Sequence, residues 1–171
     1  MNLLFIGDVV GQSGCDVLES RMYKLKREYD IDVTVVNGEN SAQGNGITPQ
    51  SYRQLLNMGA DVVTTGNHSF RRREAEELYD TNEQLLRPAN YPEGVMGHGV
   101  TYIDMCPYKI AVVNLMGTMY MEAVENPFNY VDKLLESIDT PNIIVDFHAE
   151  ATSEKKAMGF YLQKRCTAVL G

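Results

Sequence analysis

The sequence predicts a layered α/β fold, and three observations lead to this prediction. Short apolar runs typical of buried strands alternate with segments in which apolar residues recur every three or four positions, as on one face of a helix. The chain has 171 residues, a length that suits one domain with a single sizeable core. In the centre, residues 106–109 separate two apolar runs, which favours a hairpin and argues against an all-parallel sheet.

Seven segments are predicted to be strands, because each is an apolar or β-branched run. The first, residues 3–6, is continuously apolar, as expected for a strand buried on both faces. In chain order, the predicted strands cover residues 3–6, 33–36, 62–64, 100–104, 110–115, 143–145 and 167–170.

Five segments are predicted to be helices from the spacing of their apolar residues. Thr48 and Asn126 each precede a proline, a combination typical of an N-cap and the first helical position, and Ser153 is a third candidate cap. A short helix is expected from about residue 72 to 79. The faces expected to point inward carry Leu18, Met22, Leu25 and Tyr29; Tyr52, Leu55 and Leu56; Ala75, Leu78 and Tyr79; Val131, Leu134, Leu135 and Ile138; and Ala157, Phe160 and Tyr161.

The composition excludes several classes of protein. The formal net charge of −8 argues against broad electrostatic binding to nucleic acid or to anionic membranes. No segment reaches the roughly 20 apolar residues of a membrane span, and the first apolar run is too short for a signal peptide. Three widely spaced cysteines without a CxxC motif indicate reduced thiols. We expect a cytoplasmic protein without a stable nucleic-acid complex or membrane contact; the oligomeric state is open, with a homo-oligomer as one expectation.

Polar residues follow four of the predicted strands, where ligands gather in layered α/β proteins. The four segments are Gly7-Asp8-Val9-Val10-Gly11, Asn37-Gly38-Glu39-Asn40, Gly66-Asn67-His68 and Asp146-Phe147-His148-Ala149-Glu150. Carboxylate, amide and imidazole donors together suit Mn, Fe or Zn better than Ca or Mg, and the absence of cysteine argues against a structural zinc site. Two such ions, about 3.5–4 Å apart, can clamp a phosphoryl group and generate hydroxide near neutral pH.

At these residues the chain resembles the YmdB-like branch of the calcineurin-like metallophosphoesterases. Residues 87–92 are similar to a further segment of that branch, and residues 146–155 are the most diagnostic part of the resemblance. The resemblance covers the whole chain in order. It implies one metallophosphoesterase-like domain over residues 1–171, built as an α/β/β/α sandwich of two sheets flanked by helices. It also implies hydrolysis of small phosphodiesters, with 2′,3′-cyclic nucleotides and cyclic AMP as candidate substrates.

The resemblance also implies a role for individual residues. Two transition-metal ions would be bound, with Fe and Mn expected and Zn as the alternative. The ligands would be Asp8 and Asn40 for the first ion, Asn67 and His148 for the second, and Glu39 as the bridge. A metal-activated hydroxide would attack phosphorus, and His68 would donate a proton to the leaving oxygen.

Two departures from the family pattern leave alternatives open. The family continues after the last strand with a Gly-Thr-His-Thr-His motif that supplies two more ligands, whereas this sequence ends at Gly171, so we expect a domain that is incomplete at its C-terminus. The family's Trp-Asp pair is replaced by Phe70-Arg71, which changes the charge beside His68. The alternative function is therefore a non-catalytic or regulatory member with an incomplete metal site. A serine esterase is disfavoured, because Val9 stands where that class has its serine.

Simpler roles are also open for several of these residues. Asp8 is a candidate cap for the helix that follows it. Glu150 is a candidate either for a cap or for a hydrogen bond to a ligand histidine. The arginines at positions 71–73 suit a solvated helix start, or alternatively an attractor for substrate phosphate.

Overall fold

The computed structural model describes all residues from 1 to 171, and the chain divides into two units, Met1–Leu85 and Leu86–Gly171. Two four-stranded sheets follow one another along the chain, with helices between their strands. The predicted α/β class is therefore confirmed, whereas one metallophosphoesterase-like domain stays a prediction. None of the helices has the length and apolar character needed to cross a membrane.

The first sheet has the order β1-β2-β3-β4, and β1, β2 and β3 are parallel to one another. Its strands are β1 (Leu3–Ile6), β2 (Val33–Asn37), β3 (Val62–Thr64) and β4 (Leu85–Leu86). All residues of β2 and β3 are buried, whereas β1 is only partly buried. The sequence did not predict β4, because two leucines are too short a pattern to distinguish from a loop.

The helices of the first unit are α1 (Gly11–Glu28), α2 (Pro49–Asn57) and α3 (Glu76–Thr81), and a 3₁₀ turn, Arg73–Ala75, precedes α3. Thr48 caps α2 as predicted, because its hydroxyl accepts a hydrogen bond from the Ser51 amide. Leu18 and Met22 are buried as predicted. The prediction for Tyr29 was wrong: it lies beyond the last residue of α1, and its side chain is 59% exposed.

The second sheet has the order β5-β6-β7-β8. Its strands are β5 (Val100–Asp104), β6 (Lys109–Met116), β7 (Ile143–His148) and β8 (Ala168–Leu170). The antiparallel pairing of β5 with β6 confirms the predicted hairpin, and β6, β7 and β8 are parallel. The carboxyl ends of β6 and β7 therefore lie side by side, with Met116 opposite His148.

The helices of the second unit are α4 (Pro127–Ser137) and α5 (Thr152–Tyr161). Asn126 caps α4 as predicted, since its side-chain oxygen accepts from the amide of Phe128 at 3.0 Å. The predicted inward face of α5 was wrong, because Ala157, Phe160 and Tyr161 are exposed. The buried face instead carries Glu154, Met158 and Leu162. A pattern search for apolar residues misses this face, because its first member is a carboxylate. Ser153 is not the cap either, because α5 begins directly after Ala151.

Candidate functional site

The loops after β1, β2 and β3 meet at one edge of the first sheet, because parallel strands deliver their carboxyl ends to the same side. Backbone hydrogen bonds join these loops. The amide of Val9 donates to the carbonyl of Asn37 at 3.0 Å, and the amide of Gly38 donates to the carbonyl of Thr64 at 2.9 Å. These bonds bring Asp8, the Glu39-Asn40 pair and His68 together.

The Asn40 side chain lies at the centre of this group. Its Nδ2 donates to Asp8 Oδ1 at 2.9 Å and Oδ2 at 3.0 Å, and to Glu39 Oε1 at 3.2 Å. Glu39 is only 2% exposed, whereas Asp8 is exposed to solvent. One neutral amide group thus joins a buried and an exposed carboxylate.

Asp8 does not cap α1. The N-cap position is Val10, and no side chain forms a capping hydrogen bond there. The carboxylate of Asp8 instead points to Asn40, as the contacts above show. The simpler role considered for Asp8 is therefore wrong.

The backbone at Gly38 sets the position of Glu39. A Cβ atom at residue 38 would lie 2.6 Å from a methyl carbon of Leu55 and 2.9 Å from one of Val63. A larger residue at position 38 would have to displace these side chains of α2 and β3. The carboxylate that follows is thereby held against the interior of the first unit.

The imidazole of His68 contacts the other end of the same amide. His68 Nδ1 lies 2.7 Å from Asn40 Oδ1 and 3.7 Å from Glu39 Oε1, and the His68 amide donates to Glu39 Oε2 at 3.3 Å. An imidazole that donates through Nδ1 to the amide oxygen keeps Nε2 for another partner.

The remaining predicted ligands lie in two different places. Asn67 precedes His68 in the loop after β3 and is half-buried. His148 is the last residue of β7 in the second unit, and its carbonyl accepts from the amide of Gly117 at 2.9 Å. The structure thus groups four of the six predicted site residues, all in the first unit.

No three His, Cys, Asp or Glu side chains form a group that could hold a metal ion. In the first unit the predicted ligands comprise only two carboxylates, Asp8 and Glu39, because Asn40 and Asn67 are amides. The donor chemistry nevertheless fits a divalent cation. Two carboxylates turn towards the NH₂ group of Asn40, the positive end of the amide dipole, and carboxylate and amide oxygens are suitable donors for divalent cations.

The arginine run after His68 supports the loop after β2. Arg72 Nε donates to the carbonyl of Asn45 at 2.8 Å, and its guanidinium reaches the carbonyl of Ala42 at 3.3 Å. Arg73 begins the 3₁₀ turn. These contacts give Arg72 a role in holding the loop that follows Asn40.

Sequence reasoning missed one buried acid. Glu154 is 8% exposed, and its carboxylate accepts from the amide of Thr118 at 2.9 Å, the hydroxyl of Thr118 at 3.1 Å and the amide of Met119 at 3.3 Å. Glu150, which the sequence offered as a cap, is exposed, and no side chain caps α5. The only sequence signal for Glu154 was its place in the diagnostic segment 146–155.

A family model, that of the YmdB-like proteins, matches residues 4–171. The chain belongs to the YmdB-like protein family. It is 44% identical over 173 aligned residues to a Bacillus subtilis protein named 2′,3′-cyclic-nucleotide 2′-phosphodiesterase. The match takes in 100% of this chain and 66% of that protein, so the chain spans slightly less than two thirds of the relative's length.

Solved structures with the same fold include two further proteins. A hypothetical protein from Thermus thermophilus superposes with a TM-score of 0.94 at 38% identity, over 100% of this chain and 67% of that one. A putative 5′-nucleotidase from Staphylococcus aureus superposes with a TM-score of 0.62 at 14% identity, over 94% of this chain and 42% of that one. The second likeness concerns the fold alone. Together they confirm the predicted layered α/β fold class.

Proposed function

We propose that this YmdB-like protein is a dimetal-dependent phosphodiesterase of small nucleotides, with 2′,3′-cyclic nucleotides as the first candidate substrates and cyclic AMP as the second. One observation carries the proposal: a single amide, Asn40, joins two carboxylates and an imidazole at the carboxyl edge of the first sheet. The name of the Bacillus subtilis relative supports the same class of substrate.

The proposed ligands are Asp8, Glu39, Asn40, Asn67 and His148, and the proposed ions are Fe and Mn, with Zn as the alternative. When bound, such ions stabilise charge on a phosphoryl oxygen and supply a nucleophile at neutral pH. As a ligand, Asn40 would present its amide oxygen, which here contacts His68 Nδ1 instead. The amide group of Asn40 would therefore have to turn over when an ion binds.

His68 is the proposed proton donor to the leaving oxygen. Its Nδ1 lies 2.7 Å from Asn40 Oδ1. Once the Asn40 amide has turned over, its NH₂ group would donate to Nδ1, so that the ring would carry its proton on Nε2, which would face the leaving oxygen. General-acid assistance of this kind typically contributes about 10²–10⁴-fold.

The location and the oligomeric state stay predictions. A cytoplasmic location is supported by the cysteines, since Cys15, Cys106 and Cys166 are all free of disulfide bonds. The formal charge of −8 supports a small substrate over a long nucleic acid.

The test compares His68→Ala with wild type on a 2′,3′-cyclic nucleotide and on bis-p-nitrophenyl phosphate, with metal content measured alongside. A ribose alkoxide needs protonation more than p-nitrophenolate does. We therefore expect the cyclic nucleotide rate to fall about 10²-fold or more, with a much smaller loss for the activated ester and unchanged metal content. His98→Ala is the matched control, because His98 forms a β-bridge with Leu86 and belongs to none of the segments that carry the proposed site residues.

Three results would contradict the proposal in different ways. Equal losses on both substrates mean that His68 is not a dedicated proton donor. Loss of metal together with activity makes His68 a ligand. Wild-type protein that binds two ions but turns over neither substrate supports the non-catalytic alternative.

A further inference from the structure

The second unit carries a loop, residues 117–121, directly beside His148. The loop leaves β6 at Met116, which pairs in register with His148 of β7. Its first amide, that of Gly117, donates to the carbonyl of His148 at 2.9 Å. The 117–121 loop therefore starts next to His148, which we have proposed as a metal ligand.

The base of this loop is held by the buried Glu154. The carboxylate accepts two backbone amides and one hydroxyl, from Thr118 and Met119, at 2.9 to 3.3 Å. Hydrogen bonds to a carboxylate are shorter and stronger than those between neutral groups. A Cβ atom at Gly117 would collide with the same carboxylate and lie 2.7 Å from the Cβ of Ala149, so the chain passes Glu154 as closely as glycine allows.

A second buried side chain, that of Asn90, connects Met116 and Glu125, which lie before and after the 117–121 loop. Asn90 is fully buried, and its Nδ2 donates to the carbonyls of Met116 at 2.8 Å and Glu125 at 2.9 Å. Its Oδ1 accepts from the amide of Met116 at 2.9 Å. The loop is thus fixed at its base from two directions, by an acid and by an amide.

The apex of the loop presents apolar side chains to solvent. Tyr120 is 85% exposed and Met119 is 49% exposed. Tyr120 also has a φ of +63°, a conformation that costs a bulky L-residue roughly 1–2 kcal/mol. Neither the exposed ring nor its backbone conformation stabilises the fold. A strained residue on a rigid base, next to a proposed site, points to a role in function.

We propose that Tyr120, with Met119 beside it, is the platform on which the nucleobase of the substrate stacks. The inference rests on the proposed function, because His148 would then lie beside the reacting phosphodiester. Stacking on an aromatic ring is tolerant of base identity, since every base has a π-face. The platform therefore selects substrates that carry a base over those that carry none.

The test uses two cyclic phosphates, adenosine 2′,3′-cyclic phosphate and 1-O-methylribose 2′,3′-cyclic phosphate, which lacks a base. Tyr120→Ala should raise KM for the nucleotide by roughly 5- to 100-fold with little change in kcat, and should leave both constants for the base-free compound unchanged. Tyr120→Phe should restore the wild-type KM, because it keeps the ring. Tyr23→Ala is the matched control, since Tyr23 is 73% exposed and lies on α1 in the first unit.

A direct binding measurement separates this inference from the proposed function. Saturation-transfer NMR with adenosine 2′-monophosphate should show contact from the wild-type protein to the base protons, and Tyr120→Ala should abolish it. If wild type hydrolyses neither cyclic phosphate, the proposed function fails and the NMR result alone decides the platform. Unchanged base contact in Tyr120→Ala, or equal effects on both cyclic phosphates, would overturn the platform while phosphodiesterase activity stands.

Glu154 acts in this scheme as a positioning residue. Glu154→Ala should reproduce the nucleotide-selective rise in KM, and Glu154→Gln, which keeps one carbonyl acceptor, should recover part of it. A merely structural role would lower Tm in both variants without changing the preference for a base. That outcome would remove Glu154 from the proposal.

Discussion

Replacing Asn40 with aspartate places a third carboxylate where a neutral amide now joins two. In wild type, Asn40 Nδ2 lies within 3.2 Å of three carboxylate oxygens, two from Asp8 and one from Glu39. Asn40→Asp removes these hydrogen bonds, and bonds to charged acceptors contribute about 1.5–3 kcal/mol. The variant also adds repulsion on the order of 1–4 kcal/mol per charge pair at about 4 Å, reduced by the solvent exposure of Asp8.

We expect Asn40→Asp to lower the free energy of unfolding by about 3 kcal/mol in metal-free buffer. For a chain of this size that corresponds to a drop in Tm of roughly 6–12 °C. Thermal unfolding followed by circular dichroism, in buffer treated with chelator, measures the difference. Asn45→Asp is the matched control: it makes the same chemical change on an exposed side chain of the same loop, where an effect of about 0.5 kcal/mol or less is expected.

Added Mn²⁺ should then stabilise Asn40→Asp more than wild type, because a divalent cation relieves the repulsion among the three carboxylates. The small offset of Asn45→Asp should not change. An Asn40→Asp protein as stable as wild type in chelator would refute the role assigned to the Asn40 amide. Equal stabilisation of all three proteins by Mn²⁺ would refute a cation site at Asp8 and Glu39.

Two further predictions concern stability in the second unit. Arg87→Met should lower the free energy of unfolding by about 3–5 kcal/mol in urea titrations, because the buried guanidinium donates to five backbone carbonyls. Arg53 is the control: it is exposed and donates to one backbone carbonyl, so Arg53→Met should lower the free energy of unfolding by less than about 1 kcal/mol. A comparable loss in both would contradict this account. Hydrogen bonds from the Tyr161 hydroxyl and the Arg165 guanidinium lower the pKa of Asp132, so its stabilising effect is present above the unfolded pKa of about 3.9 and disappears as the pH falls through the folded pKa. Asp132→Asn should therefore lower Tm at pH 7, and the difference in Tm should shrink as the pH falls below the unfolded pKa. A pH-independent difference would be inconsistent with this linkage.

The site residues of the first unit could be predicted from the sequence, because short-range patterns indicate the strands that precede them. Asp8, Glu39, Asn40 and His68 each follow a strand that an apolar or β-branched run predicted, and parallel pairing then brings those strand ends together. The buried acid of the second unit was not accessible in the same way. Glu154 lies in the first turn of a helix, where an acidic residue usually faces solvent, and its partners Thr118 and Met119 are about 35 residues away in the chain.

The same limit explains the errors in α5 and β4. Phe160 and Tyr161 are large and apolar, so their spacing predicted a buried face, but Met158 and Leu162 pack into the core of the second unit instead. Which face of a helix is buried depends on the surface it meets, and no local pattern contains that surface. Strand β4 likewise becomes recognisable only through its place in the first sheet.

The position of the Asn40 amide bears on whether this protein needs a bound ion in order to fold. Many small metal sites hold mutually repelling donors, so that their chains fold only as the ion arrives. Here the NH₂ group of Asn40 already lies between Asp8 and Glu39, and its partial positive charge offsets the repulsion between the two carboxylates. The polypeptide can therefore fold without an ion. At the proposed metal site, an ion would have to displace the Asn40 NH₂ group from the two carboxylates, so the ion concentration would have to exceed a threshold before binding occurs.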